Sequence, residues 1–83
     1  MRVVQFPLST EKSIRLMESE NKLIFVVERK SKKSEIKKAL EDMYDVKVEK
    51  INTLITPAGK KKAYVKFGDE SPAIDLATKL GLM

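Results

Sequence analysis

The stretch Lys47-Val48-Glu49-Lys50-Ile51-Asn52-Thr53, followed by Thr56-Pro57-Ala58-Gly59 and by Lys60-Lys61-Lys62-Ala63-Tyr64-Val65-Lys66-Phe67, decides the fold of this chain. Pro57 and Gly59 stand at the second and fourth positions of a type I turn, and Ala63, Val65 and Phe67 alternate along the returning segment. The two halves therefore pair as a hairpin. On the outgoing strand Val46 and Val48 alternate with charged residues, after which the apolar phase slips to Ile51 and Ile55. Such a slip predicts a bulge near Lys50 or Ile51 that turns Asn52 and Thr53 onto a new face. Polar residues so placed suit contacts to sugar or base edges, and equally suit ordinary strand capping. Lys60, Lys61 and Lys62 at the tip, with Lys66 beyond, suit phosphate binding, and lysines at a hairpin end also guard it against strand-to-strand aggregation.

Working outward, Leu23-Ile24-Phe25-Val26-Val27 is an unbroken apolar run, which predicts a central strand buried on both faces with helices covering the sheet on each side. Val3 to Phe6 reads as a short edge strand ended by Pro7. Ser9 or Thr10 caps a helix bearing Ile14 and Met17 and fraying by Asn21. Ser31 opens a second helix, with Ile36, Ala39, Leu40 and Met43 spaced i, i+3, i+4 and i+7. Ser71-Pro72 signals the start of a third, with Ile74, Ala77 and Leu80 on one stripe and Gly81 as the stop. The order βαβαββα describes an α+β domain over residues 1–83, a small sandwich with a four-stranded, mainly antiparallel sheet and helices packed against it. The expected core is Val3, Phe6, Ile14, Leu23, Phe25, Val27, Ile36, Leu40, Met43, Val48, Val65, Phe67, Ile74, Ala77 and Leu80.

The chain has 83 residues, enough for one modest core, and its 17 Lys and Arg against 12 Asp and Glu leave a net charge of +5. That balance favours an anionic partner, nucleic acid ahead of a membrane surface. Cysteine and histidine are both lacking, which removes thiolate metal sites and the commonest general base. The carboxylates Glu41, Asp42 and Asp45 read as a solvated helix end, and no glycine-rich phosphate loop or metal-ligand spacing occurs, so neither catalysis nor a cofactor is expected. The N-terminus is interrupted by Pro7 too soon for a signal peptide, and a soluble intracellular protein is the expectation.

Charge placement singles out the helix after Ser31. Lys32 and Lys33 lie at its positive end and Glu41 and Asp42 at its negative end, each costing about 0.3–1 kcal/mol against the dipole. A phosphate bound at that N-terminus would reverse the sign, so the helix start reads as a phosphate-binding end, with solvated lysines on a tolerant surface helix as the alternative. The segment Ala63-Tyr64-Val65-Lys66-Phe67 echoes the second half of an RNA-recognition-motif signature, a reading that requires Tyr64 and another aromatic exposed together on the sheet.

Taken together, Pro7-Leu8-Ser9-Thr10-Glu11-Lys12, Asn21-Lys22-Leu23-Ile24-Phe25-Val26-Val27, Lys33-Ser34-Glu35-Ile36-Lys37-Lys38-Ala39-Leu40-Glu41, Val46-Lys47-Val48-Glu49-Lys50-Ile51-Asn52-Thr53 and Lys61-Lys62-Ala63-Tyr64-Val65-Lys66 resemble the family of universal ribosomal large-subunit protein twenty-three, in its short archaeal form. The resemblance implies a cytoplasmic, ribosome-bound protein that binds large-subunit ribosomal RNA at the rim of the polypeptide exit tunnel, beside neighbouring ribosomal proteins. It also implies docking of signal recognition particle and the protein-conducting channel. By resemblance Lys12, Asn52, Thr53, Lys61, Lys62 and Tyr64 fall on RNA-facing positions, joining Lys32, Lys33, Lys60 and Lys66. Glu11 falls on an acidic position that bacterial relatives offer to a chaperone, and with Glu18 and Glu20 it forms a surface left for protein partners. Bacterial members carry a long hairpin extension that this chain lacks, because Pro57 to Gly59 close the turn at once. The competing class is a stand-alone ferredoxin-like protein-interaction domain.

Overall fold

The computed structural model describes residues 3–81. Strands β1 (Val4–Pro7), β2 (Lys22–Val27), β3 (Val48–Ile55) and β4 (Lys61–Phe67) form one antiparallel sheet, and α1 (Glu11–Glu20), α2 (Lys33–Tyr44) and α3 (Ala73–Lys79) complete the βαβαββα order. The α+β expectation holds. Across the sheet the strands stand β1-β2-β4-β3, so β4 is inserted between β2 and β3. Both neighbours run antiparallel to β4 and hence parallel to each other, and α2 carries the chain back between them.

The hairpin closes as its sequence requires. The Gly59 N–H donates to the Thr56 carbonyl at 2.9 Å, the Thr56 N–H donates to the Lys60 carbonyl at 2.8 Å, and Gly59 takes φ 81°. A left-handed glycine after a type I turn matches the twist of the two strands, and a side chain there would be strained. The bulge falls at Glu49, one residue earlier than expected, where the register slips between Val48 and Lys50. Val48 and Ile51 consequently both face inward although three residues apart. Asn52 then stands opposite Tyr64 and Thr53 opposite Ala63, so alternation sends these two to opposite faces of the sheet.

Residues 23–27 are all buried. Leu23, Phe25 and Val27 enter one cluster with Ile36 and Leu40 of α2, Ala73, Leu76 and Ala77 of α3, and Ala63, Val65 and Phe67 of β4. Ile24 and Val26 point the other way. The first turn of α1 stands on that second side, with the Lys12 ammonium 5.4 Å from the ring centroid of Tyr64, the residue opposite Ile24. Helical residues thus meet the sheet from both sides, as the unbroken apolar run implies.

Several residues expected in the core lie at the surface: Phe6, Ile14, Met43 and Ile74 are 36 to 48 % exposed. A register irregularity between Val4 and Phe6 puts Val4 on the face of Val27 and Phe6 on the face of Val26. In α1 the buried stripe is Ser13 and Met17, one residue round from Ile14. Ser13 can be buried because its hydroxyl accepts from the Thr10 N–H at 2.8 Å and donates to the Leu8 or Thr10 carbonyl. In α3 the stripe is Ala73, Leu76 and Ala77.

Capping differs from expectation at two helices out of three. Thr10 caps α1 as expected, its hydroxyl accepting from the Ser13 N–H. Ser31 does not cap α2, because its hydroxyl donates to the Glu28 carbonyl and closes the preceding turn. Lys32 is the N-cap, and its backbone N–H donates to Glu35 Oε1 at 2.9 Å. Ser71 likewise turns away from α3 to accept from the Lys47 N–H at 2.8 Å. The α3 cap comes instead from Asn21, whose Oδ1 accepts from the Ala73 N–H at 2.6 Å. Gly81, at φ 76°, ends α3 as its sequence position requires.

Candidate nucleic-acid interface

Strand alternation splits the lysine triplet at the hairpin. Lys60 is exposed at the turn, Lys61 projects to the α2 side with Ala63, and Lys62 to the opposite side with Tyr64. The Lys61 ammonium donates to the Ser31 carbonyl at 2.6 Å, which fastens the hairpin to the start of α2. Arg29 leans on the same turn, its Nη1 3.9 Å from where a Cβ of Gly59 would stand. The two basic clusters, far apart in sequence, therefore form one patch of Arg29, Lys32, Lys33, Lys60 and Lys61. Thr53 lies on this side of β3, two residues before Ile55, which faces Lys61.

One feature of this patch escaped the sequence reading. Glu35 sits in the first turn of α2 and already occupies the Lys32 N–H, so the helix start is less purely cationic than Lys32 and Lys33 imply. At the other end Glu41 does not pair with Lys37: its Oε2 accepts from the Val48 N–H at 3.1 Å. Lys37 and Lys38 form no ion pair among the described residues.

The second surface is the face of the sheet that carries Tyr64. Across β2, β4 and β3 it presents Lys22, Lys66 and Lys50 in one row, Ile24, Tyr64 and Asn52 in the next, and Val26, Lys62 and Leu54 in a third. Lys50, Asn52 and Leu54 are exposed, and Lys62, Tyr64 and Lys66 are half-buried. The Lys12 ammonium over the Tyr64 ring makes a cation–π contact worth about 0.5–1 kcal/mol at a surface and closes one ring face to base stacking. Phe25 and Phe67 are buried on the other side, and Phe6, the exposed aromatic that shares this face, stands on β1, two strands away from Tyr64 and in the row of Val26 and Lys62, so the adjacent aromatic pair of an RNA-recognition motif is not formed around Tyr64.

Of the acidic residues, Glu11 and Glu18 are two turns apart on one stripe of α1, about 10 Å along its axis. Glu20 points elsewhere and pairs with Lys22 at 3.3 Å, while Glu11 holds Arg15 at 2.8 Å. Glu18 and Glu20 border a groove of about 470 Å³ whose walls include Asp69 and the exposed Ile74. The structure does not bring Glu11 into that groove.

Two lysine-lined surfaces meeting at one hairpin, on a sheet with strand order β1-β2-β4-β3, define a small basic α+β domain. Sequence comparison gives the domain its kinship: the family model described as ribosomal protein L23 matches residues 2–75. The chain belongs to the ribosomal protein L23 family. It is similar to large ribosomal subunit protein uL23 of Methanococcus aeolicus, with 46% identity over 80 residues, 96% of this chain and 93% of that relative.

Proposed function

We propose that this chain is a structural constituent of the large ribosomal subunit, bound in the cytoplasm to large-subunit ribosomal RNA through its lysine-lined surfaces. The observation that carries the reading is the family match spanning residues 2–75, which covers both lysine clusters. Lys32, Lys33, Lys60 and Lys61 form the patch at the hairpin and α2, with Thr53 on the same side of β3; Lys12, Asn52, Lys62, Tyr64 and Lys66 line the sheet face. Ammonium groups so arranged recognise the shape of folded RNA through its phosphates, and binding of this kind weakens steeply with salt. The role is architectural rather than catalytic.

The finer placement follows the family resemblance: a position at the rim of the exit tunnel beside other ribosomal proteins, with Glu11, Glu18 and Glu20 available to signal recognition particle and the protein-conducting channel. The exposed carboxylates of α1 and the groove beside Glu18 and Glu20 support a protein-facing side. The three-residue loop from Pro57 to Gly59 supplies no tunnel extension. A stand-alone ferredoxin-like interaction domain is disfavoured, since βαβαββα departs from the βαββαβ order of that fold.

Sedimentation of a cell extract through a sucrose gradient tests the reading. Stoichiometric migration with large subunits that survives moderate salt is expected. Recovery at the top of the gradient in low and high salt alike would refute it.

A further inference from the structure

We propose that the opposed charges at the two ends of the sheet fix how this chain lies on RNA: the acidic end repels phosphates and confines the nucleic acid to the hairpin end and the sheet face beside it. The inference rests on the RNA-binding reading above and adds to it a role for carboxylates that the reading leaves unused.

The topology sorts the charges. β2 and β4 run in opposite directions, so the start of β2 lies beside the end of β4, and the end of β2 lies beside the hairpin. At the hairpin end the loop after β2 brings Arg29 and Lys30, and the start of α2 brings Lys32 and Lys33, to Lys60 and Lys61. The carboxylates among the described residues there are Glu28 and Glu35. The other end gathers the last turns of α1 and α2 and the loop 68–71, with Glu18, Asp42, Asp45, Asp69 and Glu70 all exposed. Asp69 shares the groove of Glu18 and Glu20, and Glu70 shares a cleft with Asp45 and Asp75.

Ion pairing sharpens the division. Lys22 Nζ lies 3.3 Å from Glu20 and Lys66 Nζ 3.7 Å from Glu49, so two lysines of the acidic end are already matched and Lys66 stands at the border of the RNA-facing surface. Lys47, Lys50 and Lys79 have no ion pair there and are outnumbered by the exposed carboxylates. At the hairpin end no lysine or arginine has a carboxylate partner among the described residues. Each end therefore keeps a surplus of its own sign.

Distance lets the two ends act separately. From Lys61 to Phe67 β4 spans about 20 Å at about 3.3 Å per residue, against a Debye length of about 8 Å at physiological salt. The far carboxylates subtract little from the attraction at the hairpin, whereas a phosphate approaching their own end meets them directly. Like-charge juxtaposition suppresses such wrong contacts and sets the docking orientation without any added bond.

The full chain has no cysteine, so a single introduced cysteine carries a photoreactive aryl azide at one place. Ala58→Cys at the hairpin turn and Ser19→Cys in the groove of the acidic end, both at exposed positions, are each crosslinked to large-subunit ribosomal RNA and to an unrelated RNA of mixed sequence at about 150 mM KCl. Both RNAs are expected to crosslink from Ala58→Cys and scarcely from Ser19→Cys. Glu18→Gln, Asp69→Asn and Glu70→Gln together remove three carboxylates that form no ion pair among the described residues. They are expected to raise the Ser19→Cys yield with the unrelated RNA severalfold and to change the Ala58→Cys yield by less than about twofold. Equal yields from the two probes before neutralisation, or a Ser19→Cys yield that neutralisation leaves unchanged, would overturn the inference while the ribosomal reading stands. Failure of the unaltered chain to retain ribosomal RNA on a filter would overturn both.

Discussion

Asn21 ties together three parts of the molecule, and replacing it gives the sharpest test of how the sheet is held. Its Nδ2 donates toward the carbonyls of Phe67 at 3.1 Å, Gly68 at 3.3 Å and Ser71 at 3.4 Å, and its Oδ1 accepts from the Ala73 N–H. The amide has two protons, so two donated bonds and one accepted bond are lost in Asn21→Ala, about 3 kcal/mol at about 1 kcal/mol each. Asn21 also sits in the left-handed region at φ 57°, where alanine costs about 1 kcal/mol more. The sum is about 4 kcal/mol, against a total of roughly 4–12 kcal/mol for a chain of this size. In urea denaturation followed by far-ultraviolet circular dichroism, Asn21→Ala should lose about 4 kcal/mol, and Asn21→Gly, which keeps the backbone at ease, about 3 kcal/mol. A loss under about 1 kcal/mol for the alanine variant, or an alanine variant as stable as the glycine one, would refute the reasoning.

The phase of α2 is open to the same assay: Leu40→Ala, fully buried, should cost about 2–5 kcal/mol, and Met43→Ala, on the exposed side, under about 1 kcal/mol. Glu35→Ala should lower stability by about 1 kcal/mol through the lost Lys32 N–H partner while tightening ribosomal RNA binding in a filter assay, because a carboxylate leaves the patch of Arg29, Lys32 and Lys33. Weaker binding would show that Glu35 orders the patch more than it repels the ligand. The melting temperature of the free chain should rise between about 0.01 and about 0.1 M NaCl, as the Debye length shrinks from about 30 to about 10 Å and lysine repulsion is screened. A fall would mean that the Glu11–Arg15, Glu20–Lys22 and Glu49–Lys66 pairs outweigh it.

What the sequence made legible was whatever depends on near neighbours. The alternation of Ala63, Val65 and Phe67, the i, i+4 pair Ile36 and Leu40, and the Pro57 and Gly59 turn all appear where expected, because strand pleat, helix period and turn geometry are local. Ser31 and Ser71 depart from the capping roles their positions suggest because each finds a better partner: the Glu28 carbonyl in one case, the Lys47 N–H 24 residues away in the other. Phe6 and Ile14 were misplaced by a strand irregularity and by a serine whose hydroxyl bonds let it replace isoleucine inside. For the candidate site, Lys60, Lys61 and Lys62 were conspicuous as a run, but only the structure shows that they divide between two faces.

The division of the lysine triplet bears on how mutants of this surface should be interpreted. Reversing Lys61 and Lys62 together is the natural way to abolish RNA binding from the sequence alone, yet the two residues do different jobs. Lys61 is committed to the Ser31 carbonyl, so Lys61→Glu would place a carboxylate against a carbonyl oxygen and loosen the hairpin from α2 before any RNA is present. Lys62, half-buried between Val26 and Leu54 on the Tyr64 side, makes no hydrogen bond or ion pair among the described residues and is free to act on a ligand. A binding defect in the double variant therefore mixes lost folding energy with lost charge. Lys60, exposed at the turn, and Lys62, neither of whose side chains makes a hydrogen bond or ion pair among the described residues, are the positions at which a loss of affinity reports on phosphate contact alone.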